Sequence, residues 1–177
     1  MRYAPIIGTL AYVWDRDADA VLMVKREGRP DDEHRGKYNG LGGKLEPRES
    51  VVAGVRRELW EEARINLLSL RLRGTVNWPG FGANGEDWLG FVFLCDRWEG
   101  ETLDANEEGS LHWIPRDRLL AACAPQETVR RAAELPMWEG DRFWLPFVFD
   151  DDANTFHGVQ PWQDGAPVPE GWSCERL

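Results

Sequence analysis

Apolar positions fall into two rhythms along this chain. Residues 6–13 (IIGTLAYV) and 20–25 (AVLMVK) are aliphatic runs separated by an Asp-rich stretch, which predicts two antiparallel strands joined by a turn. Residues 88–96 (WLGFVFLCD) and 144–149 (WLPFVF) read as buried strands, with 72–77 and 111–114 as weaker ones. Residues 50–64 (SVVAGVRRELWEEAR) carry apolar positions at helical spacing, with Ser50 placed to cap the first turn. Shorter helices are expected over 116–122 and 126–134. Residues 27–42 form a long polar loop, of a kind that usually carries function in a compact domain. The Gly-rich segment 78–87 (WPGFGANGED) matches no phosphate-binding fingerprint and reads as a turn. Strands on either side of one amphipathic helix predict a single α/β (α+β mixed) domain over residues 1–177, an α/β/α sandwich with a mixed sheet between helices.

Composition narrows the partners. The net charge is −10 and no basic stripe occurs, which argues against a groove for a nucleic acid polymer. A small phosphorylated ligand remains compatible, because a divalent metal reverses the sign of an acidic site locally. Cys95, Cys123 and Cys174 are odd in number and widely spaced, suiting neither a disulfide framework nor a zinc site. No charged apolar leader opens the sequence, and no apolar run approaches the roughly 18 residues of a membrane span. The expectation is a cytoplasmic chain with no membrane contact; the oligomeric state is left open, with a monomer favoured.

The chemistry concentrates on the helix over 50–64. Advancing about 100° per residue from Val51, the apolar stripe of Val51, Val55, Leu59, Val52 and Ala63 covers an arc of roughly 0° to 120°. Glu62 falls near 20°, Glu58 near 340° and Glu61 near 280° on the same count, taken at about 100° per residue. Three acids therefore form one ridge that starts at the buried seam. Like charges at such spacings repel, and a half-buried carboxylate needs a partner. A divalent cation answers both needs. Hard oxygen ligands with no nearby His or Cys favour Mg2+, with Mn2+ a plausible substitute. Such ions neutralise phosphate oxygens and activate water, the requirement of phosphoryl chemistry.

The segment GKLEPRESVVAGVRRELWEEARI, residues 43–65, resembles the Nudix box. Gly43, Glu49, Arg57, Glu58, Leu59, Glu61, Glu62 and Ile65 match its defined positions; only Arg64 departs, standing where the pattern has Gly, so the helix is expected to close differently or run on slightly. The resemblance implies metal ligation by Glu58, Glu61 and Glu62, and a bracing pair of Arg57 with Glu49. It implies that Gly42 and Gly43 let backbone approach phosphates or metal, though a tight turn explains them equally well. Glu108 is the candidate for a further metal-binding acid from a distant loop, with Glu107 as its rival.

Residues 37–44 (KYNGLGGK), 137–149 (MWEGDRFWLPFVF) and 156–158 (FHG) are similar to the MutT-homologue branch that hydrolyses oxidised purine nucleoside triphosphates such as 8-oxo-dGTP. That likeness implies base contact by Asn39, stacking on Trp138, and substrate binding by the loop that holds Gly42, Gly43 and Lys44. Taken alone, Asn39 before Gly40 is good turn chemistry, and Trp138 beside Met137 is as readily a core residue as a stacking one. The branch reads the base with two consecutive Asp residues; here the positions hold Gly140 and Asp141. Asp141 by itself is expected to stay ionised and accept from an N–H edge such as that of guanine, unless Glu139 swings in. His34, His112 and His157 are isolated and receive no catalytic role. The implied activity is cleavage to a nucleoside monophosphate and pyrophosphate. A Nudix hydrolase for a nucleotide sugar, dinucleoside polyphosphate or ordinary NTP is the alternative, and a non-catalytic nucleotide sensor a more distant one.

Overall fold

The computed structural model describes residues 3–28 and 35–177. His34 and part of the 27–42 loop lie outside the described residues. The two aliphatic runs form β1 (Ile6–Asp15) and β2 (Ala20–Arg26), antiparallel about the Asp-rich turn. β3 (Tyr38–Asn39) pairs the far end of β2. After α1 (Val51–Ala63) come the short β4 (Asn66–Leu67), then β5 (Arg71–Trp78), β6 (Trp88–Cys95), β7 (Trp98–Glu99) and β8 (Gly109–Pro115). The helices α2 (Arg116–Ala122), α3 (Glu127–Ala132), α4 (Asp141–Trp144) and α5 (Pro146–Phe149) precede β9 (Phe156–Val159), the hairpin of β10 (Trp162–Gln163) and β11 (Ala166–Pro167), and β12 (Ser173–Arg176).

The main sheet runs β12-β9-β5-β6-β1-β2-β3, with β8 also paired to β2. β1 with β6 and β5 with β9 are parallel; the other pairs are antiparallel, so the sheet is mixed. Alternation along the central strands sends side chains to both faces, and both are buried. Tyr12, Val21, Met23, Val92 and Leu94 face a core closed by Leu119, Trp144, Leu145 and Val148 of α2, α4 and α5. Ala11, Val13, Leu22, Val24 and Phe93 face the opposite core, closed by Val55, Leu59 and Ala63 of α1. The mixed sheet between helices is the expected architecture. One pairing matters most for the site: beyond β2, the edge of β1 is taken up by residues 41–44, with Ala11 bridging Leu41 and Gly8 bridging Lys44.

Three local expectations are corrected. Residues 144–149 are helical, not a strand. Pro146 lacks an N–H and sits at the first position of α5, and the buried Trp144, Leu145, Val148 and Phe149 follow a helical stripe instead of alternation. Val52 is exposed and outside the apolar stripe of α1, where Gly54 is buried in its place. Helix α1 also closes as the motif's glycine would close it. Arg64 adopts the left-handed conformation (φ 60°, ψ 30°), and its N–H donates to the Trp60 carbonyl at 3.1 Å.

An L-residue held there costs roughly 1–2 kcal/mol, against roughly 0.5–1 kcal/mol for glycine's extra chain entropy. Arg64→Gly is therefore expected to raise the melting temperature by about 1–4 °C with hydrolysis unchanged. A fall in melting temperature, measured by calorimetry, would mean that the Arg64 guanidinium over the Trp60 ring (5.5 Å) outweighs the strain.

Candidate active site

Ser50 caps α1, its hydroxyl accepting from the Ala53 N–H at 3.1 Å, and this fixes where the acidic ridge begins. The ridge has the gradient that helical geometry predicts. Glu62 is largely enclosed, the Glu58 side chain is 14% exposed, and the Glu61 side chain is 55% exposed.

Two glycines bring backbone onto these acids. The Gly42 N–H donates to Glu62 Oε2 at 2.8 Å. Gly42 has φ 140°, and a Cβ there would stand 2.2 Å from the Thr9 carbonyl oxygen of β1. A Cβ on Gly43 would meet Glu58 Oε1 at 2.5 Å and push that carboxylate aside, while at Gly42 the backbone itself requires glycine to pass β1. The turn and the close approach expected of them are thus one feature.

Arg57 ties this arrangement together. Its Nε and Nη2 grip Glu49 at 2.9 and 3.0 Å, while Nη1 donates to Glu58 at 2.9 Å and to Glu61 at 3.1 Å. Nη2 also donates to the Lys44 carbonyl at 3.2 Å, joining loop and helix. The guanidinium holds the Glu49 carboxyl below its usual range. Lys44 itself extends into solvent with its ammonium 5.1 Å from the Trp88 ring.

Glu62 is the strained member electrostatically. Burial, then the charges of Glu108 and Glu58, raise its pKa to about 8, against the opposing hydrogen bond from Gly42 and the charge of Arg26. Glu58 is raised too, chiefly by burial and against the pull of Arg57. The field that Glu108 exerts on Glu62 places it at this site, where it also pairs with Arg26 at 3.2 Å. Glu107 is exposed. Of the two, it is Glu108 whose charge acts on Glu62.

Among the described residues no three His, Cys, Asp or Glu side chains are gathered into a metal cage. The reason is local: Glu58 and Glu61 both turn toward Arg57 Nη1. The donor set nevertheless fits a hard cation, since Glu62, Glu58 and Glu108 are all oxygen ligands whose mutual repulsion such an ion would remove.

A second cluster lies at the other end of segment 37–43. The Lys37 ammonium stands 4.6 Å over the Trp138 ring, which packs near Phe81 (5.5 Å) and Trp162 (6.3 Å). Trp138 is half-buried, beside a groove also lined by Met137, Arg130 and Arg142. Asn39 lies in β3 opposite Val24, so it is a strand residue and not a turn. Glu139 is exposed and Gly140 buried. Asp141 is enclosed, and burial raises its pKa to about 8, with the Trp138 backbone and Lys37 pulling the other way. The expectation of an ionised Asp141 is thereby overturned, because no cation lies close enough to outweigh desolvation. Three residues that sequence reasoning passed over join this cluster: Tyr12, whose hydroxyl is buried, Gln160 and Trp162. The three cysteines are free, as expected, and His157 sits between the hydroxyls of Thr75 and Thr155 at 2.9 Å each.

Residues 5–136 match the NUDIX domain family model. The chain belongs to the Nudix family, hydrolases of pyrophosphate bonds that generally use a divalent metal such as Mg2+. It is 29% identical over 145 residues to the uncharacterized Nudix hydrolase YvcI of Bacillus subtilis, covering 80% of this chain and 78% of that one. It is 27% identical over 113 residues to an oxidized purine nucleoside triphosphate hydrolase of Danio rerio, covering 64% of this chain and 63% of the relative. Among solved structures, a MutT protein from Bacillus halodurans superposes with a TM-score of 0.73 at 27% identity, covering 96% of this chain and 97% of that one.

Folding takes up a proton at Asp141 between its usual value of 3.8 and about 8. The contribution of this group to stability is complete below pH 3.8, declines as pH rises toward 8, and is flat above. Asp141→Asn removes that dependence. Melting curves of both proteins from pH 4 to 9 should therefore diverge, the variant gaining with pH by several degrees. Titration of Glu62 in the same window is common to both and cancels in the difference. Parallel curves would show that Asp141 is ionised in the folded chain.

Proposed function

We propose that this protein is a Mg2+-dependent hydrolase of purine nucleoside triphosphates, oxidised forms such as 8-oxo-dGTP included, releasing the monophosphate and pyrophosphate. The observation that carries this reading is the separation of the two clusters. Lys37 covers Trp138 and Gly43 touches Glu58, six residues apart on one segment (43 − 37), so their backbones are at most about 20 Å apart. A stacking surface and a phosphate-facing acidic ridge at that spacing suit the two ends of one nucleotide.

Glu58, Glu61, Glu62 and Glu108 would hold the metal, which supplies charge neutralisation of the phosphate oxygens and an activated water. The chain's own residues do the remaining work. Arg57 holds Glu58 and Glu61 while Glu49 fixes Arg57, so the ridge is tethered to one cation, with which a bound metal would have to share it. Lys44, exposed beside the glycine turn, would meet a phosphate oxygen. Trp138 and Asn39 would bind the base, Trp138 by its ring face and Asn39 by its amide. Clearing damaged purine nucleotides before a polymerase uses them is the role that such specificity would serve.

A second reading follows from Gly140, which removes one of the two acids expected at the base edge. The substrate would then be another nucleoside diphosphate derivative. The chain is 32% identical over 132 residues to an NAD-capped RNA hydrolase NudC of Photorhabdus laumondii, of which the match covers 47%. Phosphate release from dGTP, 8-oxo-dGTP, dATP, a nucleotide sugar and a dinucleotide, with and without Mg2+, decides between them. Turnover of the last two alone would overturn the purine triphosphate reading.

Glu62→Gln keeps the shape of the side chain and its contact with Gly42 but can never give up a proton to become an anionic metal ligand. Turnover should fall about a hundredfold or more, while metal-free melting is unchanged or slightly higher. Near-normal hydrolysis by this variant in Mg2+ would refute the ligand assignment.

Stacking a base on an aromatic ring is worth about 1–3 kcal/mol. Trp138→Ala should therefore raise KM for purine triphosphates by roughly ten- to a hundredfold, with a modest loss of stability. Unfolding of the variant, or an unchanged KM, would mark Trp138 as a core residue.

A further inference from the structure

Among the described residues four polar side chains are buried: Thr9, Arg73, Asp141 and Gln160. Arg73 shows what a structural one looks like. Its guanidinium donates to the carbonyls of Phe147, Val148, Asp150 and Asp152 and to the Asp150 carboxylate, all within 3.1 Å. Gln160 is the opposite case. It is 0% exposed, its backbone N–H is used by Asn77 O at 2.8 Å, and neither its side-chain oxygen nor its nitrogen has a protein partner. An amide buried this way is costly, and an apolar residue of the same size would fill the space without that cost.

The place of that amide is specific. A Cβ on Gly140 would stand 2.5 Å from Gln160 Oε1 and 3.0 Å from the Trp162 ring. The backbone of Gly140 is ordinary helical (φ −65°, ψ −29°), so its conformation does not require glycine. Space does. A side chain at 140 would have to displace the Gln160 amide from where it now sits. Gly140 precedes Asp141, whose Oδ2 is also buried without a partner, and Trp162 packs against Trp138 and Phe81.

We propose that Gln160 is a base-reading residue of this site, its amide occupying the room vacated at Gly140 and hydrogen-bonding the edge of a bound purine. This rests on the purine reading above and deepens it. An amide carries a donor and an acceptor side by side, and a half-turn of its terminal group exchanges them without changing its shape. It therefore matches the O6 and N1–H edge of a 6-oxopurine in one orientation and the N6–H and N1 edge of a 6-aminopurine in the other. The consequence is a site that accepts both classes, where a pair of fixed acids would separate them.

The test uses the full chain with Mg2+ and steady-state kinetics on dGTP and dATP. Gln160→Met is near in volume and carries no orphan groups. It should raise KM for both nucleotides by about tenfold or more, with kcat within about threefold, and leave metal-free melting unchanged or higher. The double variant Gly140→Asp, Gln160→Ala puts an acid into the same space. It should recover dGTP binding and raise the dGTP to dATP preference by about tenfold. An unchanged KM in Gln160→Met, a melting temperature lowered by several degrees, or failure of that variant to fold would show that the amide serves the fold, through a buried water or otherwise, and would overturn the proposal. If the unmodified protein turns over neither nucleotide nor 8-oxo-dGTP, the purine reading falls and takes this proposal with it. If it does turn them over and Gln160→Met keeps its KM, only the role of Gln160 falls.

Discussion

The Arg57 guanidinium is the constraint on which the acidic site depends. Five donors in a planar fork let one side chain satisfy Glu49 twice, Glu58, Glu61 and a loop carbonyl. Lysine could not, because a point charge has neither the reach nor the bidentate geometry. Through Glu49 the arginine fixes the loop before the helix, and through Lys44 O it fixes the segment carrying Gly42 and Gly43. That segment in turn lies on β1, the central strand, where Leu41 and Lys44 bridge Ala11 and Gly8. The acidic ridge on a helix and the backbone amides on a sheet edge are thus tied together through one side chain.

Charge explains why this body is still incomplete by itself. Burial beside Glu58 and Glu108 leaves Glu62 holding a proton up to about pH 8, and Arg57 offsets only the outer part of the ridge. The Gly42 N–H and Arg26 oppose the effect without reversing it. A net charge of −10 does not supply the missing cation from the protein surface. An added divalent ion would relieve that repulsion, and the family generally uses one.

Much of this was legible in the sequence, for identifiable reasons. The acidic ridge could be read because helical angle alone sets Glu62 and Glu58 nearer the seam than Glu61, and both are half-buried where Glu61 is exposed. The central strands were legible because each is a long aliphatic run. The 144–149 segment was not, since a short apolar run around Pro146 fits strand or helix until its neighbours are known. The short strands from 156 onward carry too few residues to show a period, and only the FHG segment marks them. Burial was the other blind spot. Val52 was placed inside the stripe and lies outside it, and Asp141 was expected ionised because its desolvation has no local signature.

Gln160 illustrates the same limit from the other side. A lone glutamine signals nothing in a sequence, but a glycine standing where a neighbouring pattern has an acid is a visible anomaly. Gly140 needs no special backbone, so the anomaly had to be explained by what fills the space, and only the fold could name the occupant. The two positions are 20 residues apart (160 − 140) and meet because the chain after β9 runs back along the end of β5, Gln160 N–H to Asn77 O and Trp162 N–H to Pro79 O. The same return carries Trp162 onto Phe81 and Trp138. Packing of the C-terminal segment against β5 therefore builds the aromatic cluster and sets the amide beside Asp141's neighbour in one step. Any change that loosens that pairing would disturb ring and amide together, which is why the kinetics of the amide variant need its melting curve beside them.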